Sequence, residues 1–273
     1  MPVRKSQESR AKNQEPRIKD IGHRQNFKKS NRFNMNTTTA MTKNMVQGKP
    51  KVWPVIHLGT EAQALENARV AANCGCEGVF VISMDGRDGD VLPVARKIKE
   101  LFPALLVGIN LLGSLADAAL AQSLASGLDA TWTDSPGVGG GGSSELGARL
   151  GETLASKPEH LFFASVAFKY QKTESNPGQA AINARALGMI PTTSGEATGM
   201  APSSEKLAGM WAAVKGSALG VASGIGPSNV GELGVWASHI LVSTGVSKSF
   251  HEFDKELLAA LMGALPNSAR VEP

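Results

Sequence analysis

From Val52 onward, short apolar runs rich in Val, Ile and Leu alternate with segments of about 10 to 16 residues whose apolar positions recur at helical spacing. No other feature constrains the fold as strongly. Strands that are apolar throughout must be covered on both faces, and the helices between them supply that cover in a parallel sheet. Eight strand and helix pairs are predicted. The strands are 53–58, 78–83, 105–110, 130–134, 161–168, 188–193, 218–223 and 239–243, and the helices begin near Thr60, Gly89, Ser114, Ser144, Asn176, Ser203, Ser228 and Phe253. Ser144, Ser203 and Ser228 are expected to cap their helices through the hydroxyl, with Glu205 and Glu232 near positive helix ends. Open doubly wound sheets usually stop at about five or six strands, so eight units point instead to an α/β fold closed as a (β/α)₈ TIM barrel.

Composition agrees with a barrel on residues 49–273 preceded by a basic tail on residues 1–48. The chain has 273 residues, 42% of them hydrophobic and 19% charged, enough apolar material for a large core. The formal net charge of +4 conceals an asymmetry: residues 1–51 hold 13 Lys and Arg against 3 Asp and Glu, and the rest holds 15 against 21. The basic character therefore belongs to the tail, which has few apolar residues and is expected to be disordered. Any nucleic-acid association through it is expected to be weak, salt-sensitive and not sequence-specific, because no aromatic platform accompanies the charge. Met35, Met41 and Met45 leave open whether residues 1–45 belong to the mature protein.

Cys74 and Cys76, with no His nearby, read as reduced thiols and not as half of a metal site. No apolar run reaches the roughly 18 to 20 residues of a membrane span and no signal peptide is evident, so a cytoplasmic location is expected. The Gly139–Gly142 run after the fourth strand lacks the Lys-Ser/Thr of a phosphate loop and reads as a mobile top loop or lid.

In such a barrel the chemistry gathers at the C-terminal ends of the strands. Those ends are polar here. Asp134, Asn110, His57, Lys169 and Asp85 are the catalytic candidates: Asn110 and Asp134 end apolar strands, His57 suits proton transfer at neutral pH, and Lys169 is a cation that desolvation would turn into a nucleophile. After the sixth strand, TTSGEATG places Thr193, Ser194, Glu196 and Thr198 as substrate contacts. After the seventh and eighth, VASGIGPSN and LVSTGVS place Ser223, Gly224, Gly226, Thr244 and Gly245 as a phosphate site in which backbone amides and helix N-termini meet an anion. No metal centre stands out, and no cofactor is predicted. A divalent cation shared by Asp85 and Asp134, or flavin mononucleotide, are minor alternatives.

GINLLGS, ALAQSLASGLDATWTD, TTSGEATG and ASGIGPSNVGEL together resemble the BtpA/SgcQ-like proteins over about residues 53–265. That resemblance implies a phosphate-binding barrel and leaves the chemistry open, since some members are named for photosystem biogenesis. The direct run of HLGTE into the first helix and the Gly run depart from the family's pattern and put the ligand in doubt. Two functions follow: an enzyme acting on a sugar phosphate or nucleotide-like phosphate as lyase, isomerase or glycosyl transferase, or a non-catalytic assembly factor that binds a protein or membrane complex. A homo-oligomer is compatible with both.

Overall fold

The computed structural model describes residues 48–267. The tail expected over residues 1–48 therefore lies almost wholly outside the described residues. Eight parallel strands close into a barrel: β1 (Lys51–His57), β2 (Gly78–Ile82), β3 (Leu106–Asn110), β4 (Ala130–Thr133), β5 (Leu161–Ser165), β6 (Ile190–Thr193), β7 (Gly220–Ala222) and β8 (His239–Val242). Their order around the barrel is β1-β8-β7-β6-β5-β4-β3-β2, and closure pairs Lys51 to Pro54 with His239 to Val242. Helices α1 (Glu61–Asn73), α2 (Asp88–Leu101), α3 (Ala116–Ala125), α4 (Glu145–Ala155), α5 (Pro177–Ala186), α6 (Ser204–Ala213), α7 (Val230–Leu233) and α8 (Lys255–Gly263) each follow the strand of the same number. No helix among the described residues is long and apolar enough to cross a membrane.

Strand alternation divides the core in two. Val52, Ile56, Val79, Val81, Val107 and Ile109 belong to a cluster shared with the small faces of the helices, such as Ala64, Ala68 and Ala95. The alternate residues, Trp53, Val55, Phe80, Ala130, Trp132, Phe163 and Leu241, fill the barrel interior. There Trp53, Phe80 and Phe163 pack with ring centroids 5.1 to 5.4 Å apart. Gly108 makes this possible, because a Cβ on it would lie 2.4 Å from the Phe80 ring. The period-two rule carries upward: Val55 is followed by His57, Gly108 by Asn110, Trp132 by Asp134 and Leu241 by Ser243, so strand ends of inward parity reach the mouth as polar groups.

Local signals account for the boundaries. Thr60 and Gln63 form a capping box on α1, Ser144 Oγ accepts from Gly147 N, Ser203 Oγ from Lys206 N and Asp254 caps α8. Ser228 does not cap α7. The N-cap position is the next residue, Asn229, whose side chain makes no cap bond and instead ties the β7 loop, its Oδ1 accepting from Gly226 N and its Nδ2 donating to Gly224 O. Strand β5 ends three residues before the predicted Phe168 because Ala167 turns to a φ of 48°, and β7 ends before Ser223, which has a φ of 69°. The Gly139–Gly142 run is not a free lid. It forms a hairpin, Val138–Gly139 with Gly142–Ser143, whose backbone is held by Glu174 accepting from Gly140 N and by Asn183 Nδ2 donating to Gly139 O.

His239 lies inside the barrel floor, hydrogen-bonded to Ser238 Oγ at 2.8 Å, and burial pushes its pKa down from 6.5 to about 3. The folded protein therefore keeps this ring neutral while the unfolded chain binds a proton below about pH 6.5. Stability present above that pH is lost as pH falls, by ~1.4 kcal/mol per unit. Unfolding free energies from urea melts at pH 7.5 and 5.0 should differ by ~2 kcal/mol more in the native chain than in His239→Gln. Equal differences would remove His239 from the account. His57 and His160, also lowered by burial, act in the same sense, so some slope remains in the variant.

Candidate active site at the barrel mouth

A cavity of about 220 Å³ opens at the C-terminal ends of the strands. It brings together His57, Asn110, Asp134, Lys169, Thr198, Ser223, Gly224 and Thr244 from the residues expected on sequence grounds. Asp85, Thr193, Ser194, Glu196, Gly226 and Gly245 are not among its lining residues.

Lys169 is the centre of the charged side. Its Nζ donates to Ser223 Oγ at 2.9 Å and to Thr198 Oγ1 at 3.2 Å, and so links the ends of β5, β6 and β7. Burial lowers its pKa, and the charges of Asp134 and Tyr170 act in the opposite direction. Asp134 remains open to solvent at the mouth, yet the protein packed around its carboxyl pushes its pKa up, against the hydrogen bond from Ser165 and the charge of Lys169. Its orientation is fixed by a relay: Trp132 Nε1 donates to Ser165 Oγ at 2.9 Å and Ser165 Oγ donates to Asp134 Oδ1 at 3.0 Å. An acid and a base whose charged forms are both destabilised by burial are suited to exchanging a proton with a bound molecule.

His57 carries its proton on Nδ1, because Nδ1 faces the Phe250 carbonyl at 3.1 Å and a carbonyl can only accept. Nε2 is left as an acceptor, with Ser243 Oγ 3.5 Å away. Burial lowers the pKa further, so the neutral ring prevails at neutral pH. Asn110 is 2% exposed and its Nδ2 has no acceptor. A buried amide without a partner costs about 1–3 kcal/mol, and the residue that carries this one lines the cavity.

Backbone strain concentrates in the same place. Four non-glycine residues among those described have positive φ, and three of them, Ala167 (48°), Tyr170 (63°) and Ser223 (69°), lie in the β5 and β7 loops that carry Lys169 and its partner. Such conformations cost on the order of 1–3 kcal/mol each and persist where surrounding contacts enforce them. Those contacts are visible. Lys206 Nζ donates to Ala167 O and Ser194 O, Thr193 Oγ1 donates to Ala167 O, and Ser194 Oγ accepts from Lys169 N and donates to Gly195 O. Thr193 and Ser194 thus hold the β5 loop in place from beneath, buried away from the mouth.

Three expectations change. Asp85 is exposed, and its carboxylate accepts from Ser83 Oγ and from Arg87 Nε, whose guanidinium also reaches Leu58 O and Gly59 O; it organises the β2 loop and does not line the cavity that holds Asp134. Glu196 lines an adjacent cleft that it shares with Lys206. Helix dipoles offer little to an anion, because α7 has four residues and the turn after β8 (Thr244–Val246) is a 3₁₀ helix of three. Positive charge at the mouth comes from Lys169 instead.

Trp132, Ser165, Ser243 and Phe250 escaped the sequence reading. Ser165 carries the same signal as Asn110, a polar residue of inward parity at the end of an apolar strand. Phe250 carries none, since it arrives from a loop far along the chain.

No protein-family description matches this chain, and no curated protein does. Solved structures of the same architecture do match. Phosphoribosyl anthranilate isomerase from Thermus thermophilus superposes with a TM-score of 0.58 at 16% identity, over 78% of this chain and 97% of that one. The same-named enzyme from Thermotoga maritima gives 0.53 at 16%, over 79% and 98%. Thiamine phosphate pyrophosphorylase from Pyrococcus furiosus gives 0.53 at 14%, over 78% and 94%. At these identities the likeness is one of fold, and the resemblance to BtpA/SgcQ-like proteins rests on its motifs alone.

Proposed function

We propose that the barrel mouth binds a small phosphorylated molecule and acts on it by proton transfer, as a lyase, isomerase or transferase. The observation that carries this reading is the assembly of one half-buried ammonium, Lys169, with the hydroxyls of Ser223 and Thr198, in a cavity that also holds Asp134, neutral His57 and an amide donor without a partner. The ammonium and hydroxyls suit a phosphate, Asn110 suits a carbonyl or hydroxyl oxygen, and Asp134 with His57 Nε2 suits the proton to be moved. The isomerase and pyrophosphorylase of the same fold bear names that include phosphorylated compounds, which agrees in kind.

Melting the full chain in the presence of inorganic phosphate, ribose 5-phosphate, glycerol 3-phosphate, adenosine monophosphate and flavin mononucleotide tests the proposal. A phosphorylated binder at 100 times its Kd adds about 2.7 kcal/mol, a rise in Tm of roughly 5–10 °C for a domain of this size. Asp134→Asn should keep that shift and lose turnover. Shifts from the unphosphorylated counterparts alone would end the phosphate reading. Binding with turnover unaffected by Asp134→Asn would end its catalytic part.

A further inference from the structure

The cavity has two unlike halves, and they follow the order of the strands around the barrel. Asp134, Lys169, Thr198 and Ser223 come from β4 to β7, which are neighbours, and make one charged wall. The opposite wall comes from the loops after β2, β3 and β8, and its cavity-lining residues include Met84, Leu112 and Phe250. These three large apolar side chains are 54%, 42% and 54% exposed. Leu115, 73% exposed, lies on the same β3 loop. Apolar side chains at solvent-open positions in three segments of one wall gain little from the fold itself, and together they form a patch of the kind that marks a binding surface. The Phe250 ring lies 4.5 Å from the His57 ring at 34°, so a flat apolar face is already present there. Tyr170 is the exposed aromatic residue lining the charged half, and its hydroxyl is engaged with Thr198. Asn110, on β3 next to β4, lines the cavity where the two walls meet, and its Nδ2 is buried without a partner.

We infer that the ligand is bipartite: a flat aromatic or heteroaromatic body against Met84, Leu112 and Phe250, and a phosphate against Lys169 and Ser223. This deepens the proposed function and rests on it. Simple sugar phosphates or glycerol phosphate would leave the apolar wall in water.

Titration calorimetry of the full chain with 1-naphthyl phosphate, glycerol 3-phosphate and 1-naphthol tests the inference. The expected result is that 1-naphthyl phosphate binds at least about tenfold tighter than glycerol 3-phosphate and than 1-naphthol. In the combined variant Met84→Gln, Leu112→Gln, Phe250→Gln, whose positions are exposed and tolerate polar groups, the preference over glycerol 3-phosphate should collapse while glycerol 3-phosphate binding is unchanged. Equal binding of the two phosphates overturns the inference and leaves the phosphate reading standing. A preference that survives in the combined variant also overturns it. Equal binding of 1-naphthyl phosphate and 1-naphthol overturns the phosphate reading, and with it the bipartite ligand.

Discussion

Lys169→Met is expected to weaken binding of any phosphorylated ligand by about 100-fold while leaving the fold as stable as before. The two halves of this expectation have separate causes. The ammonium is the cation that the cavity places among hydroxyls of the charged wall, and the short turns after β7 and β8 provide no compensating dipole. Losing a charge-assisted contact to phosphate removes about 2–3 kcal/mol of binding. In the ligand-free protein the balance is different. Burial already disfavours the charged form, which is why its pKa is lowered, and methionine relieves that desolvation while giving up hydrogen bonds to Ser223 and Thr198. These contributions oppose one another, as they do for other partly buried charges replaced by apolar side chains of similar volume. Calorimetry with the phosphorylated compound that gives the largest melting shift, beside a urea melt without ligand, separates them. Unchanged affinity would displace Lys169 from the centre of the site. A large loss of stability would make it a structural strap between loops.

The barrel was legible because both periods that define it are written in the chain. Strands β2 to β8 fall within the predicted runs, β1 begins two residues ahead of its own, and Thr60, Ser144, Asn176 and Ser203 cap helices within a residue or so of their expected starts. Inward parity was enough to bring His57, Asn110 and Asp134 to one cavity. What sequence could not supply was the direction and partner of each polar side chain in the loops. Asp85 and Glu196 occupy strand-end loops as expected, yet a cation two residues on, Arg87, claims the first, and the second lies over the neighbouring cleft. Thr193 and Ser194 differ from Thr198 by a few positions. The former are tied to Ala167 and Gly195, while Thr198 bonds Lys169 across the mouth. The apolar wall was invisible for a related reason: Met84, Leu112 and Phe250 are distant in sequence, and closure of the barrel brings them together.

The glycines of the β7 and β8 loops pose a sharper question, because a glycine beside a ligand site can serve the ligand or the neighbouring loop. Gly224 has a φ of 66°, and a Cβ on it would lie 2.1 Å from Ala201 N and 2.4 Å from Met200 C. Both atoms are backbone and cannot rotate away. Gly224→Ala therefore combines the left-handed penalty of about 1–2 kcal/mol with displacement of the β6 loop, for a total expected near 3 kcal/mol and a fall in Tm of roughly 6–12 °C. Gly226, two residues on, is outside the left-handed region, and its nearest atom would be Gly245 O at 3.5 Å, an ordinary contact. Gly226→Ala should change stability by no more than about 0.5 kcal/mol. Gly245→Ala should follow Gly224→Ala, since its Cβ would meet Ile225 O at 2.2 Å. The consequence for the site is specific. The β6 loop carries Thr198 to Lys169 and Tyr170, so moving it off Gly224 should expose residues 195–202 to limited proteolysis and weaken phosphate binding together. Thermal melts and proteolysis of the three alanine variants decide the matter. If Gly224→Ala melts with the native chain and its loop stays protected, the glycine is not holding that loop, and close approach of a ligand to its backbone becomes the better account.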